Sequence, residues 1–200
     1  MNAIPSTCPD GGAAPQSPCA GQALLTHDTP VFLVGMMGAG KTTIGRGLAR
    51  LLGREFLDLD HELEARCGVR VPTIFEIEGE EGFRKRESAA LAHCAARRNI
   101  VLATGGGAVL AAENRAALKS HGIVIYLRAS VDELYRRTSR DRNRPLLATA
   151  DPRATLTKLL TLREPLYQDV ADLIVETGAM PVNTVVKSIV PLLQSCEKKT

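Results

Sequence analysis

The stretch VFLVGMMGAGKTTIGRGLARLL, residues 31–52, leaves the chain little freedom. Four apolar, β-prone residues (Val31–Val34) run into G-x-x-x-x-G-K-T at 35–42, and Ile44, Leu48, Leu51 and Leu52 then recur at helical spacing. A strand that feeds a glycine loop and then a helix turns backbone N–H groups inward. It also sets the positive end of the helix at the loop mouth. Such a loop cradles the phosphates of a nucleoside triphosphate through Gly35, Gly38, Ala39, Gly40 and the first helical residues up to Thr43. Lys41 would reach the β and γ phosphates and Thr42 would ligate Mg²⁺. The motif fixes the phosphate donor and leaves the acceptor open.

Beyond the loop the pattern keeps alternating. Short apolar runs at 55–60, 100–104, 123–127 and 173–176 read as four further strands, the first of them ending in carboxylates. Between them lie amphipathic stretches: helical material from 60 to about 97 interrupted by Gly68, Pro72 and Gly79, then helices near 111–119, after Ser130, at 153–169 and at 182–195. Ser130 and Glu133 form a capping box. Five buried strands alternating with helices imply a three-layer α/β/α domain around a five-stranded parallel sheet. Ligands of such sheets bind at the carboxyl ends of the strands. Asp58, Asp60 and the run Gly105-Gly106-Gly107 fall there, together with the phosphate loop.

The 200 residues suit one domain, spanning 29–196. Residues 1–28 are rich in Pro, Gly, Ala and Ser and carry no Lys or Arg, so they read as a flexible extension rather than a targeting peptide. The five cysteines are odd in number and form no C-x-x-C, which speaks against a disulfide or zinc framework and for a reducing compartment, the cytoplasm. No apolar run approaches membrane-spanning length. The net charge of +3 is concentrated in RRTSRDRNR at 136–144; without interleaved aromatics it gives no case for nucleic acid.

The acidic residues narrow the class. D-x-x-G and N-K-x-D of GTPase switches are absent, and the third and fourth strands do not end in aspartate. Help for Mg²⁺ must come from Asp58. In an extended strand end Asp58 and Asp60 would project the same way, one serving the metal side and the other an acceptor hydroxyl. Strand-end and helix-capping acidity is the plainer alternative. An early D-x-D in a short chain suggests a small-molecule kinase.

Six segments in order, GMMGAGKTTIGRGLA, FLDLDHELE, IFEIEGEEGFRKRE, TGGGAV, NRPLL and REPLY, resemble the shikimate kinase family across about residues 30–190. The resemblance implies the P-loop fold related to nucleoside monophosphate kinases. It implies MgATP-dependent phosphorylation of the 3-hydroxyl of shikimate, on the route to chorismate and the aromatic amino acids, by a monomer. Carried over, Arg84 and Arg163 would hold the shikimate carboxylate, Glu87 would orient Arg84, and Phe75 and Phe83 would pack on the ring. Gly105, Gly106 and Gly107 would line the shikimate pocket, their missing side chains letting backbone approach a compact ligand. Asp60 would accept or align the hydroxyl proton, making Lys41, Asp60 and Arg144 the catalytic set. Arg137 and Pro181 would flank adenine, and Arg144 would reach the phosphates from a lid at about 139–153. The family pattern is broken at Ala179-Met180, where some members have an arginine. A gluconate-type sugar-acid kinase shares the phosphate loop but is not expected to carry TGGGAV with REPLY. A silent nucleotide- or RNA-binding module would need a broken Lys41 or Asp60, and both are intact.

Overall fold

Strands that are apolar from end to end belong where both faces of a sheet are covered. In the computed structural model, which describes residues 28–139, 149–178 and 180–197, β1 (Val31–Val34) and β3 (Ile100–Ala103) are buried at every position. They occupy the middle of a five-stranded, all-parallel sheet of order β2-β3-β1-β4-β5. The edges are β2 (Glu55–Asp58) and β5 (Leu173–Glu176), in which only Leu57 and Val175 are buried. β4 (Ile123–Arg128) lies between β1 and β5. The five-stranded α/β fold expected from the sequence is thus the one formed. The expected extension (all but Asp28) and most of the expected lid, including Arg144, lie outside the described residues.

Helices cover both faces. α1 (Lys41–Leu52) buries Ile44, Gly45, Leu48 and Ala49 and packs against α7 (Val182–Glu197). α2 (Leu59–Cys67) packs on α3 (Val71–Ala95), which packs on α4 (Ala112–His121); α5 (Val131–Thr138) packs on α6 (Pro152–Val170). Each fully buried Val, Leu or Phe of the shared core contributes about 1.5–3 kcal/mol. The capping box is present: Ser130 Oγ accepts from the Glu133 N–H at 3.3 Å.

Two local expectations are corrected. β2 stops at Asp58, not residue 60, because the Asp58 side chain accepts the Asp60 N–H and caps α2. The two aspartates therefore do not share an extended strand: Asp58 is the cap and Asp60 sits in the first helical turn. Pro72 opens α3 rather than interrupting it, since proline lacks only an N–H that the first turn cannot use. Helix α6 runs through Pro165, as a helix expected at 153–169 must.

Gly79 is the true break within α3, with φ 67° and ψ −173°. That conformation belongs almost exclusively to glycine. A Cβ placed there meets no atom within 4 Å, so substitution costs backbone strain alone. Gly79→Ala should lower stability by about 1–3 kcal/mol, seen as a lower urea midpoint at unchanged m. An unchanged midpoint would show that the kink is not required.

Candidate functional site

The phosphate loop, 35–42, joins β1 to α1 through three left-handed glycines, Gly35, Gly38 and Gly40 (φ 141°, 81° and 97°). Side chains at these positions would strain the loop. Lys41 Nζ donates to the carbonyls of Gly35 (2.8 Å) and Met36 (2.9 Å), which lays the ammonium along the loop. A cleft of about 360 Å³ opens above it, lined by Met37, Gly38, Gly40, Lys41, Thr42, Thr43, Asp58, Asp60, Thr104, Gly105, Gly106 and Arg137. Register explains the assembly: Leu33 pairs with Ala103 and Asp58 pairs with Ala103, so the carboxyl ends of β1, β2 and β3 finish level.

Within the cleft the two carboxylates differ. Asp58 is engaged on both oxygens, one accepting the Thr42 hydroxyl at 2.8 Å and the other the Asp60 N–H at 3.2 Å. Asp60 lines the cleft with its side chain open to solvent, although protein atoms crowd around its carboxyl. That crowding raises its pKa most, and the charge of Asp58 raises it further, against the pull of Lys41. Thr42 and Asp58 together present adjacent hard oxygen donors, the chemistry that suits Mg²⁺. Among the described residues no cluster of three or more His, Cys, Asp or Glu could hold a metal alone.

Behind the cleft stands a second cluster. Arg84 donates to Glu87 at 2.6 Å and to the more exposed Glu80 at 3.2 Å. Burial pulls the Arg84 pKa down most, but the charges and hydrogen bonds of Glu87 and Glu80 together outweigh it, and the guanidinium is held more firmly protonated. Glu87 is almost wholly buried; burial pushes its pKa up, against the pull of Arg84. Arg163 is also buried and donates to the Gly106 carbonyl at 3.3 Å. The glycine run makes room for this cluster. A side chain at 105 would collide with the Glu87 carboxylate, and one at 107 with the Arg84 guanidinium. Asn114 and Arg115 hold the following 3₁₀ turn (Ala108–Leu110) by donating to Ala108 and Val109 carbonyls, each at 2.8 Å.

Phe75 and Phe83 stack on each other with centroids 4.3 Å apart, and Arg84 lies over the Phe83 ring at 5.1 Å. Arg137 donates to the carbonyls of Gly38, Thr177 and Gly178, tying the phosphate loop to the end of β5. Beside it is a smaller, largely apolar pocket of about 200 Å³, lined by Ala39, Gly40, Thr43, Ile44, Arg137, Thr177, Met180, Val182 and Val185. Pro181 lies between two of its lining residues.

Of the residues singled out from the sequence, Gly38, Gly40, Lys41, Thr42, Thr43, Asp58, Asp60, Gly105, Gly106 and Arg137 line the main cleft. Phe75, Phe83, Arg84, Glu87 and Arg163 do not line it; they gather behind the glycine run. Thr104 was missed, although a polar residue at a strand's carboxyl end is a legible signal. Tyr167, whose hydroxyl also reaches the Gly106 carbonyl, was missed as well: a buried tyrosine in a helix looks like core.

A strand–glycine loop–helix with Lys41 and two carboxylates beside it, on a five-stranded parallel sheet, defines a P-loop kinase of a small acceptor. The shikimate kinase family model matches residues 37–194. A shikimate kinase of Bordetella pertussis is 73% identical over 193 residues, covering 95% of this chain and 92% of that protein. The shikimate kinase of Acinetobacter baumannii, solved in complex with shikimate, is 50% identical, with a TM-score of 0.82 over 84% of this chain and 93% of that one. The chain belongs to the shikimate kinase family. A gluconokinase from Sinorhizobium meliloti, 16% identical with a TM-score of 0.57 over 86% of this chain and 94% of that one, shares the fold alone.

The raised pKa of Asp60 has a consequence for stability. A carboxyl whose pKa is higher in the folded state favours folding while protonated, and that contribution is lost as pH rises through the folded pKa. Asp60→Asn should therefore raise Tm at neutral pH. The gain should shrink as pH falls and wild-type Asp60 takes up its proton. Thermal unfolding across pH checks this; a lower Tm for the variant at neutral pH would contradict it.

Proposed function

We propose that the chain transfers the γ-phosphoryl group of ATP to the 3-hydroxyl of shikimate, giving shikimate 3-phosphate and ADP, with the cleft and the cluster behind it as the two halves of the site. The observation that carries this reading is the pair of guanidinium groups converging on one glycine loop. Arg84 packs over Gly107 and Arg163 binds Gly106, with Glu87 as the carboxylate between them. Glu87 is the buried carboxylate facing these guanidiniums, and Glu80 reaches Arg84 only from the exposed side; two guanidiniums on one loop suit an anionic ligand, and a carboxylate matches their forked geometry. Phe75 and Phe83 give the neighbouring apolar surface for a ring.

On this reading Lys41 follows the β and γ phosphates, and the loop from Gly35 to Thr43 supplies the N–H groups that cradle them. Thr42 and Asp58 would hold Mg²⁺, which supplies charge neutralisation between the phosphates when bound. Asp60 aligns the acceptor hydroxyl and takes its proton; its raised pKa makes it a better base than an ordinary aspartate. The apolar pocket beside Arg137, with Met180 and Pro181 at its edge, receives the adenine. Arg144 adds charge at the phosphates from the lid, an assignment supported by NRPLL alone. Most of the rate then comes from positioning and charge stabilisation. The protein acts as a cytoplasmic monomer.

Titration of shikimate and ATP against Arg84→Ala, Arg163→Ala and Asp60→Asn tests the division of roles. Loss of either arginine should weaken shikimate by roughly 2–5 kcal/mol, as for a buried charged partner, and leave ATP binding intact. Asp60→Asn should keep ATP binding and lower kcat on the order of 10²-fold or more. Unchanged shikimate affinity in both arginine variants would remove the carboxylate assignment.

A further inference from the structure

One buried side chain reaches the glycine loop and has no place in the account above. Tyr167 lies one helical turn after Arg163 in α6 and is fully buried. Its hydroxyl donates to the Gly106 carbonyl at 2.5 Å, the same oxygen that Arg163 Nη1 reaches at 3.3 Å. It also lies 3.6 Å from Met36 Sδ in the phosphate loop. A carbonyl oxygen has two lone pairs, and at Gly106 both are engaged, one by the phenol and one by the guanidinium. The other side of Gly106 is closed by the phosphate loop: a Cβ there would stand 3.4 Å from Met37 N and 3.6 Å from the Gly35 carbonyl.

The two donors differ in freedom. Arg163 is long, with many rotamers; Tyr167 has two side-chain torsions, and its ring is stacked on Tyr126 at 5.1 Å and 24°. Burial holds the Tyr167 phenol protonated, so it remains a donor. The rigid partner therefore sets the carbonyl and the flexible one follows it.

We propose that Tyr167 is a positioning residue, whose phenol fixes the Gly106 carbonyl and thereby aims Arg163 at the acceptor's carboxylate. This rests on the reading of Arg163 given above. The stack contains its own control. Tyr126 is just as buried, but its hydroxyl has no hydrogen-bond partner among the described residues. Removing that oxygen should cost the acceptor site nothing.

The experiment is steady-state kinetics in shikimate and in ATP for Tyr167→Phe, Tyr126→Phe, Arg163→Ala and the Arg163→Ala/Tyr167→Phe double variant, with Tm recorded for each. Tyr167→Phe should raise the shikimate KM roughly 3- to 30-fold, the scale of a buried carbonyl losing its donor, with the ATP KM unchanged. Tyr126→Phe should change neither. In the Arg163→Ala background, Tyr167→Phe should add nothing, because both act through one contact. An unchanged shikimate KM in Tyr167→Phe, an equal rise in both KM values, a matching effect in Tyr126→Phe, or additive losses in the double variant would each overturn the positioning role. If Arg163→Ala itself leaves shikimate untouched, the carboxylate assignment falls and this inference with it. If Arg163→Ala weakens shikimate but the losses add, only the positioning role falls.

Discussion

The glycine run and the helices around it depend on a close approach: the Arg84–Glu87 ion pair pressed against a backbone that carries no side chains. Glu87 is almost fully buried, and a buried carboxylate is tolerable only while its partner stays within hydrogen-bond reach. Breaking such a pair costs on the order of 3–5 kcal/mol, because the orphaned charge stays behind. Gly105 and Gly107 are the positions at which a methyl group would push the pair away. Gly106, between them, is pinned by α6 through Arg163 and Tyr167 and rests on the phosphate loop. The run thus joins α3, α6 and the phosphate loop at one point. A shift in any of them would be felt by the others.

The cleft shows a complementary division of charge. Asp58 is tied to structure, capping α2 and holding Thr42, the residue with which it would share Mg²⁺. Asp60, two residues on, is left to face the cleft with its pKa raised by the crowding around its carboxyl and by its neighbour. Folding favours a neutral side chain at that position, whereas the proton abstraction proposed for Asp60 needs a charged one. On that proposal an ionised carboxylate there sets fold stability against chemistry, and Lys41 only partly relieves the conflict.

The parts legible in the sequence are those written locally. The phosphate loop, the end-to-end apolar strands and the Ser130 capping box each lie within a few residues, and all appear as expected. The errors fall where one residue has two possible jobs. Asp58 could extend a strand or cap a helix, and its carboxylate settles the matter by taking the Asp60 N–H. Pro72 could break a helix or begin one, and position alone decides. What was not legible is non-local: Arg163 and Gly106 stand 57 residues apart in the chain. No spacing rule shows that Gly107 makes room for Arg84. Tyr167 was in view within REPLY, but its hydroxyl's partner is fixed only by the packing of α6 against the 3₁₀ turn after the glycine run.

On the proposed function, this glycine-backed pair of arginines selects a carboxylate-bearing acceptor beside the phosphate loop. The most direct measurement is ADP release by the wild-type chain with MgATP and, in turn, shikimate, shikimate methyl ester, gluconate and no acceptor. The account predicts rapid turnover with shikimate. It predicts a loss in kcat/KM for the ester on the order of 30- to 4,000-fold, as expected when a buried charged contact is removed. Gluconate should give no more ADP than the blank. Equal kcat/KM for shikimate and its ester, or turnover of gluconate at the shikimate rate, would contradict it.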